Sequence, residues 1–199
     1  VDKYINIGFN IESYLLVSVC LVGLIGLISY LRMDWKRFGL LALASAMVGN
    51  VLCFIFVTLD FYTYPYRLFP QLSEMPIIAM TLAVPFLVLL SVRYSPQKWA
   101  WKLPFYWVLV HGVMLFESLV LIYTDIIQYE FKWDLWDSYT WWWVYFLFFE
   151  WFGGKVIPDH LRKPLKAEHL RFGKIGWVIV HFVLIVTIFL GGYYLGRLQ

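Results

Sequence analysis

Phe38-Gly-Leu-Leu-Ala-Leu-Ala-Ser-Ala-Met-Val-Gly-Asn-Val-Leu-Cys-Phe-Ile-Phe-Val-Thr-Leu-Asp60 is the stretch that decides the fold. No charged side chain occurs between Phe38 and Leu59. Arg32, Lys36 and Arg37 precede the run, and Asp60 closes it. A helix needs ~20 apolar residues to cross ~30 Å of hydrocarbon, at 1.5 Å of rise per residue. This run meets that length, so it reads as a membrane-spanning helix with a basic end and an acidic end.

Working outward, five more runs of the same kind appear. The spans are placed at about 12–32, 38–60, 74–93, 103–124, 138–157 and 175–196. The chain has 199 residues, 62% of them hydrophobic, which is more apolar surface than one soluble core could hide. The spans leave little chain for a soluble module. The expectation is one transmembrane domain over 1–199, all-α, a six-helix bundle in contact with membrane lipids. Val1 to Ile11 has no clear basic region and no small-residue cleavage site follows, so the first run is expected to remain as a span.

Basic residues gather in every second connection. Arg32, Lys36 and Arg37 lie between spans 1 and 2, and Arg93, Lys98 and Lys102 between spans 3 and 4. Lys155, Arg162, Lys163, Lys166, Arg171 and Lys174 lie between spans 5 and 6. The opposite side holds only Lys3, Arg67, Lys132 and Arg197, together with most of the acidic residues. Basic loops stay cytoplasmic, which predicts a multi-pass cell-membrane protein with both termini outside. Topology thus accounts for the net charge of +3, and nothing calls for a nucleic-acid partner.

Local features refine this picture. Ala42, Ser45, Ala46, Gly49, Asn50 and Cys53 form a small-residue stripe that lets helices approach closely, and Gly192 and Gly196 form a GxxxG pair. Pro85 is expected to bend span 3. The connection after span 2, Asp60 to Pro70, is aromatic and proline-rich and is expected at the interface. After span 4, Ile127, Tyr129, Phe131 and Trp133 alternate with polar residues, which suits a short strand. The basic connection after span 5 includes an expected amphipathic piece on the inner surface. Cys20 and Cys53 are expected as packing residues.

The ionisable residues inside spans carry the functional question, because charge is expensive there. They are His111 and Glu117 in span 4, Glu150 in span 5 and His181 in span 6, with Asn50 as a neutral companion. Glu150, Asn50, His111 and His181 are expected near one layer, with Glu117 closer to the outside and on a different helix face from His111. Glu150 follows Trp141-Trp-Trp-Val-Tyr-Phe-Leu-Phe-Phe and precedes Trp151. A carboxyl among aromatic rings loses hydration, which favours its protonated form. Glu150 and Glu117 are therefore the candidate catalytic or proton-carrying groups. Asn50, His111, His181, Trp141, Trp142, Trp143, Tyr145 and Trp151 are candidate ligand-binding residues. The Trp141–Trp143 run reads either as an aromatic belt or as a wall for a hydrophobic or cationic ligand. No HExxH, CxxC, GxSxG or GxGxxG spacing occurs, so neither a metal nor a cofactor is expected.

The segment Phe149-Glu-Trp-Phe-Gly-Gly154 with the following Ile157-Pro158, the six-span layout and the size resemble an uncharacterised family of small integral membrane proteins from spore-forming Gram-positive bacteria. The resemblance implies six helices and brings no activity. Three functions remain in competition. The first is binding or transport of a small ligand or ion through the glutamates. The second is an enzyme acting on a lipid or isoprenoid with a glutamate general acid. The third is a structural protein whose exposed small-residue stripe packs on a helix of another membrane protein.

Overall fold

A computed structural model describes residues 5–130, 132–166 and 173–197. Six helices follow in order: α1 (Ile11–Leu31), α2 (Trp35–Thr58), α3 (Ile77–Tyr94), α4 (Trp99–Tyr123), α5 (Leu135–Val156) and α6 (Gly173–Arg197). Polar caps set their ends. Asn10 and Asp34 accept from the backbone N–H of Ser13 and Arg37. Asp134 and Asp137 form a reciprocal capping box that opens α5. Several helices therefore begin a few residues before the apolar runs do. Pro76 has the opposite effect and holds the start of α3 back to Ile77.

Among the described residues, α1 to α4 are long and apolar enough to cross a membrane. This makes the chain membrane-embedded. α5 matches them in length, but Trp and Tyr replace many of its aliphatic residues. In α6 the apolar stretch is the shorter Val178–Thr187.

The connections gather at two opposite ends of the bundle. At one end, strands β1 (Tyr62–Thr63) and β2 (Gln128–Tyr129) pair antiparallel, with Tyr62 opposite Tyr129 and Thr63 opposite Gln128. The Tyr66 and Glu130 N–H groups extend the junction by donating to the Asp125 and Phe61 carbonyls at 2.8 and 3.0 Å. The expected strand after span 4 is thus present but shorter, with the ladder register confined to Gln128 and Tyr129; Phe131 lies outside the described residues. Asp60 turns the chain into this ladder with φ 56°. The Phe61 and Asp60 N–H groups donate back to Phe56 and Val57. This is a Schellman closure with Asp where Gly is commoner. It sets the Phe61 ring 5.9 Å from Phe56.

At the other end, the α5–α6 connection runs along the last turn of α3. Lys163 N and Leu165 N donate to the Arg93 and Tyr94 carbonyls at 2.8 and 3.1 Å. Arg93 there lies over the Tyr30 ring and reaches Met33 at the end of α1. This is the basic end. A 3-10 turn, Asp159–Leu161, occupies part of the expected amphipathic piece, whose remainder at 167–172 lies outside the described residues.

The helices pack most closely as α1 on α3 and α2 on α3. Gly23 and Gly26 bring α1 close to α3. A Cβ at Gly23 would meet Leu82 backbone at 2.8 Å, and one at Gly26 the Phe86 ring at 2.2 Å. The α2 stripe faces α3 through Gly49 and Asn50, and it also receives a ring from α5. Ser45 and Gly49 make room for a side chain, Tyr145, whose hydroxyl donates to the Ser45 carbonyl at 2.7 Å. This part of the stripe is therefore buried inside the chain rather than exposed. Cys20 and Cys53 are free thiols. Gly196 has open space around it, and the side-chain surroundings of Gly192 lie outside what is described. The core falls into two clusters. One, around Phe38, Leu41, Val92, Tyr106 and Phe149, fills the basic end. The other, around Phe56, Tyr62, Tyr64, Ile127 and Trp133, lies under the ladder.

Candidate ligand site

A cavity of about 660 Å³ lies between the two core clusters. Its volume falls in the range of small-molecule sites. Leu16, Gly23, Cys53, Val84, Leu109 and Val113 represent the four helices α1 to α4 in its wall, and the rings of Trp141, Trp142 and Tyr145 come from α5. Val22 on α1 and Val108 and Phe116 on α4 line it too, and all three are exposed. The cavity therefore opens between α1 and α4, two helices that do not pack closely on one another. Gly112 lies on that wall, and a Cβ there would meet nothing within 4 Å.

Glu117 is the one charged residue among the described lining residues. It stands six residues before the ladder end of α4, ~9 Å along the axis. Tyr129 Oη donates to Glu117 Oε1 at 2.5 Å, and Trp142 Nε1 donates to Oε2 at 2.8 Å. Tyr129 Oη also lies 2.9 Å from Ser138 Oγ, which accepts from Trp133 Nε1 at 2.8 Å. Ser138 is then free to donate to Tyr129, and the chain Trp133–Ser138–Tyr129–Glu117 is satisfied at each link, each bond polarising the next. Burial first, and then the Glu117 carboxylate, push the Tyr129 phenol above its ordinary range, which keeps it a donor. Two neutral donors and no cation face Glu117 among the described residues. A carboxylate has room for about four hydrogen bonds, and these two donors from the protein fill half of it.

Glu150 has different surroundings from those expected. It is 2% exposed, six residues before the basic end of α5. Lys102 Nζ and Arg162 Nη2 contact its Oε1 at 2.5 and 2.8 Å. Tyr106 Oη donates to its Oε2 at 2.7 Å. The aromatic neighbours in sequence point elsewhere, and two cations from distant segments reach the carboxylate. Arg162 Nε also donates to the Val92 carbonyl at 3.1 Å. One carboxylate thereby fastens the α5–α6 connection to α4 and to the end of α3. Glu150 does not line the cavity.

The histidine and amide candidates lie away from the cavity. Asn50 donates to Ala46 O and Thr81 Oγ1, tying α2 to α3. His111 Nδ1 lies 2.8 Å from the Trp107 carbonyl, with its ring 5.4 Å from Tyr139. It sits on another face of α4 from Glu117. His181 is half-buried on α6. None of these three lines the cavity. The tryptophan run divides: Trp141 and Trp142 line the cavity, whereas Trp143 does not. Trp151 faces outward with Lys155 Nζ 3.7 Å from its ring centroid.

Sequence reasoning missed Tyr129, Ser138 and Trp133 as a network on Glu117, and Lys102, Arg162 and Tyr106 as partners of Glu150. The alternation at 127–134 carried a signal for the first group, since it places Tyr129 and Trp133 on one face. The second group gave none, because Lys102 and Arg162 read as loop charges. No protein-family model, curated protein or solved structure matches this chain.

Proposed function

We propose that the chain is a six-span protein of the cell membrane, with both termini outside, that binds a hydrophobic ligand taken from the surrounding lipid into the cavity. The observation that carries this reading is an apolar cavity of about 660 Å³ that opens sideways between two apolar helices. A ligand partitioned into the bilayer would enter there without crossing water. The six-span arrangement is supported by the two ends of the bundle. α5 starts beside the β ladder, and its Gly153 packs against Val92 near the end of α3, so it covers the same height as α3. The basic connections share one end, which the positive-inside rule assigns to the cytoplasm. The cavity then belongs mainly to the outer half.

The test uses purified protein in phosphatidylcholine nanodiscs with a dodecanol analogue that carries a diazirine on its chain. Irradiation should give adducts on wall residues such as Cys53, Val84 and Leu109, and excess dodecanol should remove them. Gly112→Phe places a ring into open space on the wall. It should abolish the displaceable adducts while the protein remains folded. Labelling confined to outward residues such as Leu43 and Ile122, or unchanged in Gly112→Phe, would overturn the proposal.

A further inference from the structure

We infer that the ligand of this cavity is a single-chain amphiphile with a net positive head group, an alkylammonium, and that Glu117 is its counter-ion. The inference rests on the cavity being a ligand site and adds the chemistry of the head.

The reasoning begins with charge compensation. A carboxylate removed from water needs a cation or several donors to offset its lost hydration. Glu150 has two cations and a phenol. Glu117 has one phenol and one indole N–H, both neutral. Both of its partners are donors, the set that suits an ionised carboxylate. The missing element is positive charge, and no described residue supplies it.

The surroundings of Glu117 fit an organic cation. Trp142 and Trp133, which belong to its hydrogen-bond network, both line the cavity. Tyr62 and Tyr64 stand nearby, their ring centroids 5.5 Å apart, with Tyr62 5.4 Å from Trp133. Burial first, and then the neighbouring Cys53, push both phenols up, with a smaller contribution from Glu117, so they stay neutral. Neutral aromatic faces attract an alkylated ammonium. An anionic head would meet the carboxylate with like charge and no compensating cation. The remaining wall, including Leu16, Val84, Leu109 and Val113, is apolar and suits one alkyl chain. The opening between α1 and α4 lets that chain enter from lipid while the head settles toward the ladder end.

Competition against the diazirine–dodecanol probe tests the head group. Dodecyltrimethylammonium should displace the probe at a concentration at least ~10-fold below that of dodecanol, a difference of ~1.4 kcal/mol. Dodecyl sulfate should compete less well than dodecanol. Dodecylphosphocholine, which has the same ammonium but no net charge, should compete like dodecanol. Glu117→Gln should abolish the advantage of the cation over dodecanol. The order of the four heads on the wild-type protein is decisive even if that variant folds poorly. Equal displacement by cation and alcohol, an equally good zwitterion, or a preference that survives in Glu117→Gln would overturn the head-group assignment. In each of those cases the Gly112→Phe result still stands, so the cavity reading is judged separately. Probe labelling that no competitor displaces would remove both.

Discussion

Two glutamates in neighbouring helices occupy opposite ends of this bundle, and they differ in how their charge is met. Glu150 is buried with Lys102, Arg162 and Tyr106 around it. Glu117 is half-buried on a cavity wall with two neutral donors. The first arrangement is complete within the chain and ties three segments together. The second leaves acceptor capacity facing an opening. A saturated carboxylate has little left to offer a ligand, so the difference separates a structural ion cluster from a binding group.

The sharpest way to break this comparison is to remove the carboxylate at the basic end. Glu150→Leu leaves two largely buried cations with no counter-charge and should cost roughly 3–5 kcal/mol. Thermal unfolding in detergent reads this as a large drop in Tm. A loss no greater than that of an ordinary surface change would mean that the cluster does not hold the fold.

Arg162→Ala comes next. It removes the charged bonds to Glu150 and to Val92 O, worth roughly 1.5–3 kcal/mol, while Lys102 still pairs with the carboxylate. It should also loosen the connection that runs along α3. Limited trypsin digestion should then cut at Lys166 sooner than in the wild-type protein. An unchanged digestion pattern would place the hold on that connection in the backbone bonds of Lys163 and Leu165 instead.

Glu117→Gln is the smallest of the three in stability. The amide keeps one oxygen acceptor and the same shape, so the change should stay within about 1 kcal/mol in the absence of ligand. Its effect belongs to head-group selection. If Glu117→Gln and Glu150→Leu destabilised the protein equally, the contrast between the two sites would collapse.

The helices were legible because apolar run length and charge-free stretches are local properties. Their ends were less so, since hydropathy ignores the polar caps at Asp34 and Asp134. The extended segment at Gln128–Tyr129 was visible from its alternation, but its partner was not. Tyr62–Thr63 sits in a proline-rich loop, and pairing across that distance leaves no local mark. Among the candidate site residues, Glu117, Trp141, Trp142 and Tyr145 meet at the cavity. Asn50, His111, Trp143 and Trp151 face other surroundings. The stripe on α2 suggested close helix packing, and α2 does pack on α3; that Ser45 and Gly49 also receive Tyr145 was not legible.

The sequence by itself determined that this chain lives in a membrane, where its helices run, and that positive charge collects at alternate connections. Each follows from the cost of placing polar groups in hydrocarbon, which is counted residue by residue. Only the tertiary structure decided which glutamate is compensated. Lys102 and Arg162 sit near helix ends on flexible stems, and whether a stem turns inward depends on what the packed helices present to it. The cavity is likewise a property of packing: α1 and α4 each read as ordinary apolar helices, and the space beside Glu117 exists because they are held apart.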